Sequence, residues 1–179
     1  MQERQPNRLI NHDYSENGYY FITICVKDKH NWFGDIVNDK IILNEYGEKA
    51  RQCWLGIPEH FNYIKLDEYM IMPNHIHGII MIDDPDIGNA NNNAIVGNAY
   101  MRSLRGGSDR TKMKLSVATQ QYKASVTREI NKTRNGIKFQ WQKSYYDHII
   151  QNEPSLKSVR EYIVNNPLNW ALDEENMHR

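Results

Sequence analysis

The sequence predicts an α+β fold, a ferredoxin-like sandwich in which helices pack on an antiparallel β-sheet. Three observations lead there. Two short runs rich in aromatic and β-branched residues, "GYYFITICVK" and "HIHGIIMI", read as strands. Two stretches, "EYGEKARQCWLGI" and "LSVATQQYKASVTREINK", repeat apolar residues at helical spacing. The elements follow one another as β, α, β, β, α, β, α, so strands can pair in hairpins with helices on one face.

The first strand covers residues 18–27. A short strand end, "IIL", precedes a helix for which Asn44 is the N-cap, with Gly47 weakening the first turn. Ala50, Cys53, Trp54 and Ile57 supply the helical period, and Pro58 lies near its stop. "NYIKLDEYMIMP" reads as a strand, Pro73-Asn74 as a turn or bulge, and "HIHGIIMI" as the next strand. Residues 83–112 are crowded with Asn, Gly and Asp and have no apolar period, which predicts a long mobile loop. In the helix that follows, Leu115, Ala118, Tyr122, Val126 and Ile130 make the inward stripe. "FQWQKSYYDHIIQ" reads as a further strand. Asn152 then caps a helix with Pro154 in its first turn, Leu156, Val159 and Ile163 as its core stripe, and Pro167 ending it. Trp170 in the tail packs back.

At 179 residues and 40% apolar composition the chain, residues 1–179, suits one domain with a real core. Two cysteines, Cys25 and Cys53, are not in paired or metal-type spacing, which fits a reducing compartment. The polar start and the lack of a long apolar run predict a cytoplasmic protein that does not enter a membrane. Formal net charge is zero, but residues 102–143 hold eleven of the 22 Lys and Arg against only Asp109 and Glu129, a local balance of +9. Such a segment reads either as a polyanion site or as a solvated helix face beside a flexible neighbour.

The chemistry gathers on His75 and His77. Residues i and i+2 of a strand project from one face, so two imidazoles can converge on one ion while Ile76 points the other way. Neutral imidazoles suit zinc or manganese. Magnesium fits if carboxylates, amide oxygens or phosphates complete the shell. The structural alternative is a pair of rings merely hydrogen-bonded on a half-exposed strand. In the last helix Tyr162 and Asn166 are four apart and share a face. Beside a metal, a phenol could become the nucleophile on a DNA phosphodiester, leaving a 5′-phosphotyrosine link and a free 3′-OH. Ordinary amphipathic packing of Tyr162 and a C-terminal helix position for Asn166, biased from helical dihedrals by Pro167, account for the same residues.

"YMIMPNHIHGIIMI", "WQKSYYDHIIQNE" and "VREYIVNNPLNW", after "NGYYFITICVK", together resemble the REP-associated tyrosine transposases. These are a group of single-tyrosine, insertion-sequence-200-like HUH transposases (histidine, bulky hydrophobe, histidine). The resemblance covers nearly the whole chain except residues 83–112 and the extreme ends. It implies a ferredoxin-like fold of HUH endonuclease type, a divalent metal (Mg2+ or Mn2+), and cleavage and rejoining of single-stranded DNA near a hairpin. It implies His75 and His77 as metal ligands, Tyr162 as the nucleophile and Asn166 as a further ligand. It also implies a nucleoid-associated protein that acts as a monomer or as a homodimer. Gln151 departs from the arginine expected there, and the Asn-rich loop is atypical in composition.

Tyr145 and Tyr146 are rival nucleophiles by chemistry alone. His148 is either a support for the metal ligands or DNA, or a structural residue. Lys114, Lys123, Arg128 and Lys132 on the helix, with Arg102, Arg105, Arg110 and Lys112 before it, suit phosphate contacts. Tyr122 and Trp141 suit base stacking or the core. Two other functions fit the same residues: a catalytically idle regulator that binds DNA hairpins, and a metal phosphodiesterase that uses water as its nucleophile.

Overall fold

The computed structural model describes residues 17–85, 114–133, 136, 138–173 and 175–176. Arg102, Arg105, Arg110, Lys112 and all but the first three residues of the expected loop lie outside that set.

Four strands form one antiparallel sheet: β1 (Gly18–Cys25), β4 (Ile64–Ile71), β5 (His75–Ile82) and β6 (Tyr146–Ile150), in the order β4-β5-β1-β6. A separate hairpin joins β2 (Gly34–Val37) and β3 (Lys40–Leu43). The helices are α1 (Glu45–Leu55), the single turn α2 (Ile57–His60), α3 (Lys114–Lys132) and α4 (Glu153–Asn165), and a 3-10 segment continues from Asn166 to Leu172. With the hairpin set aside, the chain follows the β-α-β-β-α-β path of the ferredoxin-like arrangement. Among the described residues no helix is long and apolar enough to cross a membrane.

Alternation along the strands builds two cores. Tyr20, Ile22 and Ile24 of β1 and Ile76, Ile80 and Ile82 of β5 face α1 and α3, where they meet Ala50, Trp54, Tyr122, Val126 and Ile130. The opposite face turns Ile79 and Ile150 toward Leu156 and Ile163 of α4, with Tyr19, Phe21 and Met70 beside them. His75 and His77 share parity with Ile79, so they lie on the α4 face. The stripe expected for α3 is the buried one. The Asn44 side chain accepts from the amides of Tyr46 and Gly47, and Asn152 accepts from Ser155, as the cap residues predict.

Gly78 makes the close packing of α1 possible. A Cβ there would stand 2.2 Å from the Trp54 ring, which is fully buried. We predict that Gly78→Ala costs about 3 kcal/mol by overpacking, measurable by denaturant titration, whereas Gly18→Ala, with open space around it, is nearly neutral.

Two expectations change. The strand expected over residues 139–151 is real only from Tyr146 to Ile150. Before it, Trp141 makes an isolated bridge to Val26, and the chain turns through Gln142, Lys143 and Ser144. The hairpin between β2 and β3 was not anticipated. Its two turn residues, Asn38 and Asp39, both have positive φ (51° and 58°), the geometry that matches a two-residue turn to the twist of its strands.

Candidate active site

The site is built where β5 pairs with β1. His75 lies opposite Cys25 and His77 opposite Thr23. The two Nε2 atoms stand 2.9 Å apart, and both rings are buried.

Each ring is held from behind. Asn74 donates through Nδ2 to the carbonyls of Lys29 (2.9 Å) and Glu175 (2.7 Å), so its Oδ1 is the acceptor that faces His75 Nδ1 at 2.9 Å. His75 therefore carries its proton on Nδ1 and presents an Nε2 lone pair, a tautomer assigned from the network. His77 Nδ1 meets the Thr23 hydroxyl at 2.9 Å. A hydroxyl can donate or accept, so His77 can hold its proton on Nε2, toward His75, or on Nδ1, which frees a second lone pair. Phe21 stacks on His77 with centroids 5.4 Å apart, and Trp170 lies 6.0 Å from the His75 ring.

Burial pushes His75 down to about 3, with the Lys29 charge adding to it. Burial, then the neighbouring His75, holds His77 well below the ordinary imidazole range, with Asp173 opposing. Both rings are thus neutral at physiological pH, the protonation state of a metal ligand.

Tyr162 reaches this pair from α4. Its hydroxyl lies 3.4 Å from His77 Nε2, its ring is 5.2 Å from the His77 ring and edge-on to Phe21, and about half of the residue is exposed (48%). One turn on, Asn166 is 2% exposed and its Oδ1 has no hydrogen-bond partner among the described residues, an orphan acceptor in a buried position. Asn166 keeps helical dihedrals (φ −58°, ψ −40°) although Pro167 follows, because the chain runs on as a 3-10 helix with that proline in its first turn. The bias expected from the proline is overridden, and Asn166 stays in line with Tyr162.

Arg160 fixes the height of α4. Its Nε and Nη2 donate to the two carboxylate oxygens of Asp67 at 2.8 and 2.6 Å, across the irregularity between Leu66 and Tyr69 in β4. That guanidinium holds the Asp67 carboxyl below its usual range. Arg160→Ala is expected to raise amide hydrogen exchange in residues 153–165 and to slow any reaction of Tyr162 while the sheet stays protected. Unchanged exchange would contradict the anchoring role.

The sequence reading missed Asp173. Its Oδ2 is 4.0 Å from His75 Nε2, and one ligand atom each from His75, His77 and Asp173 lie within 4.8 Å of one another. The residue sits 96 positions beyond His77 in an acidic tail. The signal available was Trp170, whose packing against His75 brings that tail to the site. A further tail acid, Glu175, lies beside Cys25, whose thiol is pushed up to about 12 by burial first and by Glu175 second.

The donors fit a divalent cation. Two lone pairs on one ion, with metal–nitrogen bonds of about 2.0–2.1 Å, stand roughly 2.9–3.4 Å apart, and the observed 2.9 Å falls in that range. Without a cation, one of the two nitrogens must carry the intervening proton.

The remaining candidates distribute unevenly. His148 is exposed, pairs with Phe21 and so shares the face of His77, but Asn74 and Thr23 hold the two rings. Tyr145 turns to the other face, its hydroxyl 3.1 Å from Ser116. Tyr146 pairs with Thr23 and shares the face of His77. Tyr122 and Trp141 pack into the core.

The α3 cations lie on the sheet face away from the histidines. Lys114 pairs with Asp84 and sits 5.0 Å over the Tyr63 ring, and burial lowers its pKa. The Lys123 ammonium donates to the Gln142 carbonyl at 2.7 Å, with those of Lys143 and Ser144 nearby, and burial lowers its pKa too. Arg128 and Lys132 are exposed and share Glu129.

No protein-family model matches the chain. An uncharacterised protein of Haemophilus influenzae (strain ATCC 51907 / DSM 11121 / KW20 / Rd) is 37% identical over 174 residues, 97% of this chain and 93% of its own. A second protein of that strain, named "Putative REP-associated tyrosine transposase", is 23% identical over 90% of this chain and 77% of its own. Among solved structures, a REP-associated tyrosine transposase bound to a REP hairpin superposes with a TM-score of 0.58 at 15% identity, over 97% of this chain and 77% of that one, and shares the fold. In its ordered sequence blocks and its four-stranded antiparallel α+β fold, the chain is similar to the REP-associated tyrosine transposases.

Proposed function

We propose that the protein is a metal-dependent single-stranded DNA endonuclease and strand-transferase that acts at hairpin-associated sites through a 5′-phosphotyrosine intermediate. The observation that carries this reading is the 3.4 Å approach of the Tyr162 hydroxyl to His77, in a site where two neutral imidazoles present their Nε2 atoms to each other. The hairpin in the related solved structure supports hairpin DNA as the substrate class.

His75 and His77 would hold a divalent ion, Mg2+ or Mn2+, with Asp173 and Asn166 as the oxygen donors. Bound there, the ion supplies Lewis-acid polarisation of a phosphodiester oxygen. Asn74 fixes the His75 tautomer, the Thr23 hydroxyl can accept the Nδ1 proton of His77, and Phe21 and Trp170 flank the imidazoles. The Tyr162 oxygen attacks phosphorus and forms the O–P bond. The bond to the 3′-oxygen breaks, and the proton lost by the phenol balances the one gained by that oxygen. The link retains the phosphodiester energy, so attack by a 3′-OH rejoins the strand without a nucleotide triphosphate. Within one chain the Tyr162 hydroxyl lies 3.4 Å from His77, which supports a tyrosine acting in cis.

The test is a denaturing gel after incubation with an end-labelled DNA hairpin bearing single-stranded flanks. The reading predicts a covalent protein–DNA band with Mg2+ or Mn2+ that is lost with EDTA. Cleavage without that band would instead favour water as nucleophile, and binding alone an idle regulator.

A further inference from the structure

Resting on the reading above, we propose that Tyr146 is the stacking platform for an unpaired base next to the scissile phosphate, and so a positioning residue that makes the protein prefer a single-stranded flank.

The α4 face is closed around the histidines on most sides. Toward β4, α4 is clamped down by Arg160 and Asp67. Beyond His75, the tail covers the site with Trp170 and Asp173, and Asn74 ties down the Glu175 carbonyl. Along the strands, Phe21, Ile79 and Ile163 fill the space under the helix. The Tyr162 hydroxyl is therefore approached across β6, the edge strand opposite β4.

Tyr146 lies on that approach. The register sets Met70, His77, Thr23 and Tyr146 in one row across four strands, all on one face. Two strand spacings put Tyr146 about 10 Å from His77, a reach that the base of a neighbouring nucleotide covers. The residue is 50% exposed. An exposed aromatic face stacks any base, and its weight by alanine substitution is about 1–3 kcal/mol, or roughly 5- to 150-fold in affinity. His148, also exposed, continues the same face two residues on.

The experiment measures affinity by fluorescence anisotropy in the full chain carrying Tyr162→Phe, which blocks turnover. The two probes are one DNA hairpin with a single-stranded flank and the same hairpin without it. Tyr146→Ala is expected to weaken the flanked hairpin by at least about fivefold, with little change for the flankless one and an unchanged melting temperature. Tyr146→Phe keeps the ring and the affinity. A 2-aminopurine in the flank should be quenched by the parent and not by Tyr146→Ala. Equal affinity of parent and Tyr146→Ala for the flanked hairpin, or equal losses on both hairpins, would overturn the assignment of Tyr146 and leave the proposed function standing. If the parent binds neither hairpin, the proposed function falls and this inference with it.

Discussion

Tyr162→Phe is expected to abolish the covalent protein–DNA adduct while fold and hairpin affinity stay close to those of the parent. The substitution removes one oxygen from a residue about half exposed to solvent. Its hydroxyl lies 3.4 Å from His77 Nε2. The ring remains, and with it the edge-on contact to Phe21, so the stability change should stay within about 0.5 kcal/mol. Loss of the attacking atom is a different order of effect: strand cleavage should fall at least about a thousandfold. The same substitution at Tyr145 should leave cleavage intact, because that hydroxyl is turned to Ser116 on the far side of the sheet. Gel and thermal melt together separate the two effects.

His75→Ala and His77→Ala are expected to remove the response to metal. In the parent, an ion that binds only the folded state adds stability as its concentration rises, about 2.7 kcal/mol at a hundredfold excess over its Kd. Either substitution should erase that gain in a melting scan with Mn2+, and cleavage with it. The pH dependence has a definite sign. Both imidazoles titrate lower in the folded protein than in the unfolded chain, where histidine titrates near 6.5. The stability this gives the metal-free protein is present above about pH 6.5. It is lost as pH falls from there toward about 3, the folded value of His75. The parent should therefore melt earlier with each step below pH 6.5, and His75→Ala should flatten part of that slope. Protons compete with metal for the same lone pairs, so the metal-induced gain should shrink over the same interval.

Much of this was legible in the residues. The alternation of β1 and β5 placed the histidines on one face, the Asn44 and Asn152 caps marked two helix starts, and the spacing of Tyr162 and Asn166 put them on one side of α4. The parts not legible depend on contacts between distant segments. Asp173 enters through a tail whose path is set by Trp170 and Asn74, not by any local pattern. The hairpin of β2 and β3 hid behind Asn38-Asp39, a turn pair whose left-handed φ values carry a weaker sequence signal than Asn-Gly. Charge pattern alone does not report that the Lys123 ammonium donates to carbonyls or that Lys114 joins an ion pair. Which tautomer His77 holds depends on the Thr23 hydroxyl of a neighbouring strand, which no spacing rule reports.

The most direct measurement is mass spectrometry of the trapped protein–DNA adduct after digestion with trypsin. The account predicts a nucleotide joined through its 5′-phosphate to Tyr162, on the peptide that begins after Arg160. An adduct on Tyr145 or Tyr146, or full cleavage of the flanked hairpin with every tyrosine unmodified, would contradict it.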